Sequence, residues 1–182
     1  MRRGAIVSAI ISECGLYRYR LDRDCGLPFE GSKVFAYFGI NPSTADATLD
    51  DATVRKWRGF TVRNGGHRFI VGNVFCYRAT DPRDIGFSND LRTYVNGLPT
   101  PSNHQINLAH IRRIIDEADV LVPCWGNTIK VAKGVRYCFA EMLALLTDSG
   151  KPVLHFGTTK SGQPQHPLML GYDTQLTPWV AS

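Results

Sequence analysis

Four runs of this chain, residues 33–40, 68–75, 119–124 and 152–156, are too continuously apolar to present a wet face. That is what strands buried on both faces of a parallel sheet look like. Segments of helical character separate them. Asp50 or Asp51 caps a helix running to about Arg63 and ending at Asn64-Gly65-Gly66. Leu108, Ile111, Ile115 and Ala118 share one face of a second helix. A third begins at Asn127 or Thr128, and Val135, Phe139, Met142 and Leu146 recur through its later half until Gly150 and Pro152 stop it. Residues 4–12 and 17–21 read as a hairpin, with Tyr17, Tyr19 and Leu21 alternating against Arg18 and Arg20, and residues 172–176 as an edge strand. The pattern predicts an α/β fold: a three-layer α/β/α arrangement with a central, mostly parallel four-stranded sheet plus an N-terminal β-hairpin.

The 182 residues suit one domain, 1–182, and 43% hydrophobic content argues against disorder. No apolar stretch approaches the roughly 20 residues of a membrane span, so a cytoplasmic protein with no membrane contact is expected. The five cysteines, Cys14, Cys25, Cys76, Cys124 and Cys138, contain no C-x-x-C pair, and neither a disulfide framework nor a metal site is expected of them. A net charge of +5 with a pI near 9.1 makes an anionic partner plausible. Arginine dominates the positive residues, in two groups: Arg18, Arg20 and Arg23, then Arg55, Lys56, Arg58, Arg63 and Arg68. Guanidinium groups fork onto phosphate and stack on bases as ammonium groups do not. A solvated helix face explains the second group equally well.

Every buried run ends in a polar or glycine-rich loop: Asn41-Pro42-Ser43, Asn73 with Tyr77-Arg78, Trp125-Gly126-Asn127, and Gly157-Thr158 leading to His166-Pro167. Open α/β sheets bind ligands at the carboxyl ends of their strands, so these loops are expected to share one rim. No G-x-x-x-x-G-K-[ST] or G-x-G-x-x-G phosphate loop is present, and Asp46, Asp50, Asp51 and Asp81 match no defined metal spacing. No cofactor is expected. Each rim residue also has a plain structural role open to it: Asn41 can satisfy its own turn, the aspartates can cap the next helix, Arg78 can pair with Asp81, Tyr17 and Tyr19 can pack the hairpin, and Trp57 can anchor its helix.

Taken together, these pieces resemble a bacterial and phage family known as domain of unknown function 1643. Tyr17-Arg18-Tyr19, Asn41-Pro42-Ser43-Thr44-Ala45-Asp46, Tyr77-Arg78-Ala79-Thr80-Asp81-Pro82, Asn89-Asp90, Trp125-Gly126 and His166-Pro167-Leu168 carry the resemblance. It spans nearly the whole chain and brings no established reaction. A looser similarity links Gly39-Ile40-Asn41-Pro42, residues 120–126 and His166-Pro167 to uracil-DNA glycosylases. It implies a uracil-DNA-glycosylase-like fold, a water-positioning Asn41, a base-reading Asn73 and a His166 that stabilises the departing base. Leu168 and Ser43 depart from the glycosylase motifs, and no iron–sulfur cysteine set is present.

The resulting expectation is a protein directed at a nucleobase, nucleotide or DNA, hydrolysing an N-glycosidic bond to a modified or damaged base. Asn41, Asp46, Asp51 and His166 are the candidate catalytic residues. Pro42, Ser43, Thr44, Asn73, Phe75, Tyr77, Arg78, Trp125, Gly126, Asn127, Gly157, Thr158 and Pro167 are the candidate binding residues, with Tyr37 a further stacking candidate. The alternatives are a non-catalytic module that recognises a nucleotide or modified DNA, and an enzyme acting on free nucleotides.

Overall fold

The computed structural model describes residues 7–42, 50–85, 94–95, 98–99 and 101–180. Its strands are β1 (Val7–Ile11), β2 (Arg18–Asp24), β3 (Lys33–Gly39), β4 (Gly66–Asn73), β5 (Tyr94–Val95), β6 (Leu98–Pro99), β7 (Val120–Pro123), β8 (Leu154–His155) and β9 (Thr177–Pro178). Five of them form one mixed sheet in the order β1-β2-β4-β3-β7, and the other four form two small antiparallel pairs, β5 with β6 and β8 with β9. β3 runs parallel to both β4 and β7, whereas β2 lies antiparallel to β4 and to β1.

This corrects the expected four-stranded, mostly parallel sheet in two ways. The hairpin does not stand apart: it pairs through β2 with the edge of β4, and Leu21, opposite Val71, is fully buried there. An exposed sheet edge invites pairing, and the hairpin covers it. The fourth apolar run does not become a central strand. Val153 makes a single bridge to Leu121, and the next two residues pair with β9. Pro152 accepts from the Leu121 amide but has no amide hydrogen to give back, so the ladder does not propagate.

Among the described residues three helices cover the sheet: α1 (Ala52–Arg63), α2 (Asn103–Glu117) and α3 (Tyr137–Thr147). In β3 the alternation of side chains divides the core. Phe35 and Tyr37 face α1 and pack with Val54, Trp57 and Phe60, while Ala36 and Phe38 face the other layer with Ile111 and Ile114 of α2 and Met142 and Leu146 of α3. A strand covered on both sides needs apolar residues at every position, which accounts for its unbroken run.

Asp51 caps α1, its Oδ1 accepting from the Val54 amide at 2.8 Å. Ser102 and Gln105 form a reciprocal capping box at the start of α2. The third helix starts at Tyr137, about ten residues later than the sequence suggests. The Asn127 side chain accepts from the Ile129 amide, and Arg136 holds the carbonyls of Ile129 and Val131. Those side-chain bonds satisfy the backbone in a loop, ending in a 3-10 turn at Lys133–Val135, where helical bonds were expected. The C-terminal edge strand is the short β9, just beyond residues 172–176. No helix among the described residues is long and apolar enough to cross a membrane.

Candidate functional site

The parallel strands β4, β3 and β7 end side by side, with Gly39 opposite Asn73 and Phe38 opposite Pro123. Just past these ends lies a cavity of about 200 Å³. Asn41 enters it from the loop after β3, Asn73 from the last position of β4, Trp125 from the loop after β7 and His166 from the loop after β8. Asp51, at the start of α1, completes the sequence-predicted residues that line it. The Asn-Pro and His-Pro segments, more than 120 positions apart, therefore meet in one pocket.

Asn73 is the least explained of these by folding needs. It is 3% exposed, no described residue hydrogen-bonds its side-chain amide, and its backbone carbonyl accepts from Asn107 Nδ2 at 2.9 Å. The amide faces the cavity, where a ligand or water can meet it. Gly39 makes room for it: a Cβ there would lie 2.9 Å from Asn73 Oδ1.

Asn41 is partly committed. Its Nδ2 donates to the carbonyl of Ala79 at 2.7 Å and to that of Pro42 at 3.2 Å, pinning the loop after β4 to the loop after β3. The expected turn-satisfying role is therefore real, and the Asn41 Oδ1, bonded to no described residue, remains an acceptor at the cavity.

His166 Nδ1 accepts from the Leu168 amide at 3.3 Å, which places the ring hydrogen of the neutral imidazole on Nε2. Burial lowers its pKa from the ordinary histidine value, and the Asp51 carboxylate only partly opposes this. The imidazole is thus a neutral hydrogen-bond donor near pH 7. Gly126 supports its placement: at φ +73° it adopts a backbone that favours glycine, and a Cβ there would touch His166 Cβ at 3.0 Å. The Gly126 amide also donates to the Pro164 carbonyl at 2.8 Å, tying the Trp-Gly turn to the His-Pro loop. Trp125 is 2% exposed and donates its indole N–H to Gln163 Oε1 at 2.8 Å.

Six residues of the lining were not among the expected site residues: Arg18, Gly39, Ile40, Thr53, Trp57 and Pro82. Arg18 is 3% exposed. Because β2 runs antiparallel to β4, its first residue arrives at the rim where the parallel strands place their last. Arg18 and Arg20 were read as one alternating face, but only the docking of β2 onto β4 tells which arginine is enclosed. Trp57 is the buried helix anchor it was read as, and it also forms part of the cavity wall.

Other expected residues lie elsewhere. Phe75 is fully enclosed and meets Phe139 edge to face in the core. Tyr37 is wholly buried, stacked on Trp57 and bonded to Thr61 Oγ1, so it offers no stacking surface. Tyr77 bridges to Tyr17, and Arg78 donates to the Gly15 carbonyl at 3.1 Å, both serving the turn of the β1–β2 hairpin. Asp81 pairs with Arg83 and not with Arg78. Asn127 closes its own turn, and Gly157 and Thr158 form a small antiparallel turn with Pro164 and Gln165. Pro42 and Pro167 are buried beside Asn41 and His166 and stiffen those loops. Ser43, Thr44 and Asp46 lie outside the described residues.

The arginine groups read as phosphate contacts are largely spent on the protein itself. Arg20 and Arg68 share Asp22 and Glu117, Arg23 and Arg58 share Asp50, and Lys56 donates to the Leu170 carbonyl at 2.5 Å. Of the described aspartates, Asp50 is held by arginines, Asp51 caps α1 and Asp81 caps a 3-10 turn. Among the described residues one group of metal-type ligands does converge: His104, Cys138 and Glu141.

A family model described as protein of unknown function (DUF1643) matches residues 18–168. No curated protein and no solved structure matches the chain.

Proposed function

The chain belongs to the DUF1643 family, a membership that carries no reaction, and from the cavity we propose that it binds a nucleobase, as part of a nucleotide or of DNA, and hydrolyses the N-glycosidic bond of a modified or damaged one. The observation that carries this reading is the side-chain amide of Asn73, bonded to no described residue and facing a cavity shared with a neutral N–H donor, His166. A carboxamide offers a donor and an acceptor side by side, the pattern that matches the edge of a heterocycle. The cavity, at about 200 Å³, is below the roughly 300–1,000 Å³ of sites for larger ligands and suits a single ring system.

In this reading, Asn73 holds the base edge while Trp125 and Trp57 wall the ring. A water accepted by Asn41 Oδ1 attacks C1′ of the sugar as the bond from C1′ to the base nitrogen breaks. The bonding electrons leave with the base, His166 Nε2–H donates a hydrogen bond to the developing anion, and the water proton passes to the Asp51 carboxylate or to solvent. The products are the free base and an abasic sugar. The uracil-DNA-glycosylase resemblance supports the same assignment of Asn41 and His166.

The non-catalytic reading retains one specific support. Both groups offered for activating water have structural work: Asp51 caps α1, and Asn41 ties two loops together. A recognition module needs only Asn73, His166 and the walls. Abasic-site formation on a panel of uracil-containing and hypermodified DNAs, run beside base release from free nucleotides, decides between them. Product that disappears in His166→Ala supports hydrolysis; binding without product in the wild type favours the module; neither binding nor product across the panel contradicts both.

A further inference from the structure

We propose that His104, Cys138 and Glu141 form a zinc site that clasps α2 to α3, apart from the nucleobase cavity. One donor atom from each residue lies within 4.8 Å of the others. Cys138 and Glu141 stand three residues apart on α3 and so share a face, while His104 reaches them from the first turn of α2. The set combines an imidazole, a thiol and a carboxylate, the three ligand types that zinc takes in proteins. Thiolate selects against magnesium and calcium, which prefer all-oxygen shells.

Burial is graded in the way a site with one open position requires. Cys138 is 1% exposed, the His104 side chain 18% and the Glu141 side chain 39%. The ion enters from the Glu141 side, and water completes a four-coordinate shell there. His104 Nε2 and Glu141 Oε2 already lie 2.9 Å apart. Zinc bonds of roughly 2.0–2.3 Å at tetrahedral angles put neighbouring ligand atoms about 3.5 Å apart. Rotation of the partly exposed Glu141 side chain opens one contact and closes the others. On binding, the Cys138 thiol releases its proton to the buffer as the sulfur–zinc bond forms, so uptake weakens as the pH falls.

The position gives the ion a structural use. Phe139, next to Cys138, packs on Trp125 with ring centroids 5.6 Å apart. Asn107, three residues beyond His104 on α2, holds the carbonyls of Asn73 and Val74. A zinc ion would therefore brace two walls of the cavity from behind without touching its contents.

The test uses the full chain, stripped with a chelator, dialysed and titrated with zinc, with cobalt as a spectroscopic probe. The expected result is one ion per chain at a dissociation constant below about 1 μM, with a thiolate-to-cobalt charge-transfer band. Cys138→Ser abolishes the band, and Glu141→Gln weakens uptake by about tenfold or more and removes the zinc-dependent rise in melting temperature. Glu141 is exposed enough for that variant to fold even if Cys138→Ser does not. Substoichiometric uptake by the wild type, or uptake that His104→Ala, Cys138→Ser and Glu141→Gln all leave unchanged, overturns the proposal and leaves a hydrogen-bonded pair between helices.

Discussion

The two sides of β2 and β4 handle polar groups in opposite ways. Towards the amino end of α1 and along the hairpin, charges answer one another: Arg23, 1% exposed, meets Asp50 at 2.7 Å, and Arg20, Asp22, Arg68 and Glu117 form an ion-pair network. At the carboxyl ends of the parallel strands, Asn73 is as deeply enclosed and its amide is left open. The contrast supports the proposal that this cavity holds a ligand.

The largest expected effect lies on the paired side. Asp50→Ala leaves the Arg23 guanidinium buried without its carboxylate and should cost about 3–5 kcal/mol in urea unfolding; a loss under about 1 kcal/mol would mean that the pair is not what holds the hairpin to α1. Acid should act in the same direction. Burial tends to raise the Asp50 carboxyl, but the hydrogen bonds and charges of Arg23 and Arg58 outweigh it and hold the group below its ordinary value. The unfolded chain then takes up the proton first, so this stability is present above about pH 4 and is lost as pH falls through the folded value.

Next in size is Gly126→Ala. A residue with a Cβ at φ +73° costs about 1–2 kcal/mol, and the added carbon presses on His166 Cβ. Activity should fall further than stability does, whereas a variant with unchanged activity would detach the Trp-Gly turn from the site. A smaller change is expected of pH at His166. Its folded value is lowered by burial against the pull of Asp51, so the neutral donor outlasts the ordinary histidine value of about 6.5 and is lost only as the pH falls through the lower folded value. Its share of stability follows the same sign, full above about pH 6.5 and declining below it. An acid limb of the activity profile lying above that value would contradict a neutral His166. The smallest effect is assigned to Glu117→Gln, where a 44% exposed partner in the network should cost under about 1 kcal/mol by thermal melts.

Much of this was legible because β3, β4 and β7 carry their burial in composition. Runs such as 33–40 admit no wet face, and Asp51 and Asn64-Gly65 mark the ends of α1 in the usual chemistry of caps. The convergence of Asn41, Asn73 and Trp125 followed from one rule about strand ends, and His166 joins them from the loop after the short β8. What was not legible depended on docking. Nothing local states that β2 lies antiparallel on β4, so the enclosure of Arg18 was invisible. Nothing local separates Phe75, whose ring turns into the core, from Asn73 two residues earlier, whose amide meets the cavity. The late start of α3 was hidden for another reason: Asn127 and Arg136 divert backbone bonds through long-reaching side chains, and a helical period downstream masks them. The His104, Cys138 and Glu141 group escaped notice because two helices far apart in sequence supply it.

Asn73→Ala puts the contrast itself to measurement. Urea unfolding and equilibrium titration with a panel of nucleobases and nucleosides, run on the same two proteins, read both sides of it. Since no hydrogen bond of the folded protein to that amide is lost, unfolding should change by no more than about 1 kcal/mol, while affinity for the nucleobase bound by the wild type should fall about 10- to 100-fold. Equal affinity in the two proteins, or a wild type that binds none of the panel, would contradict the account.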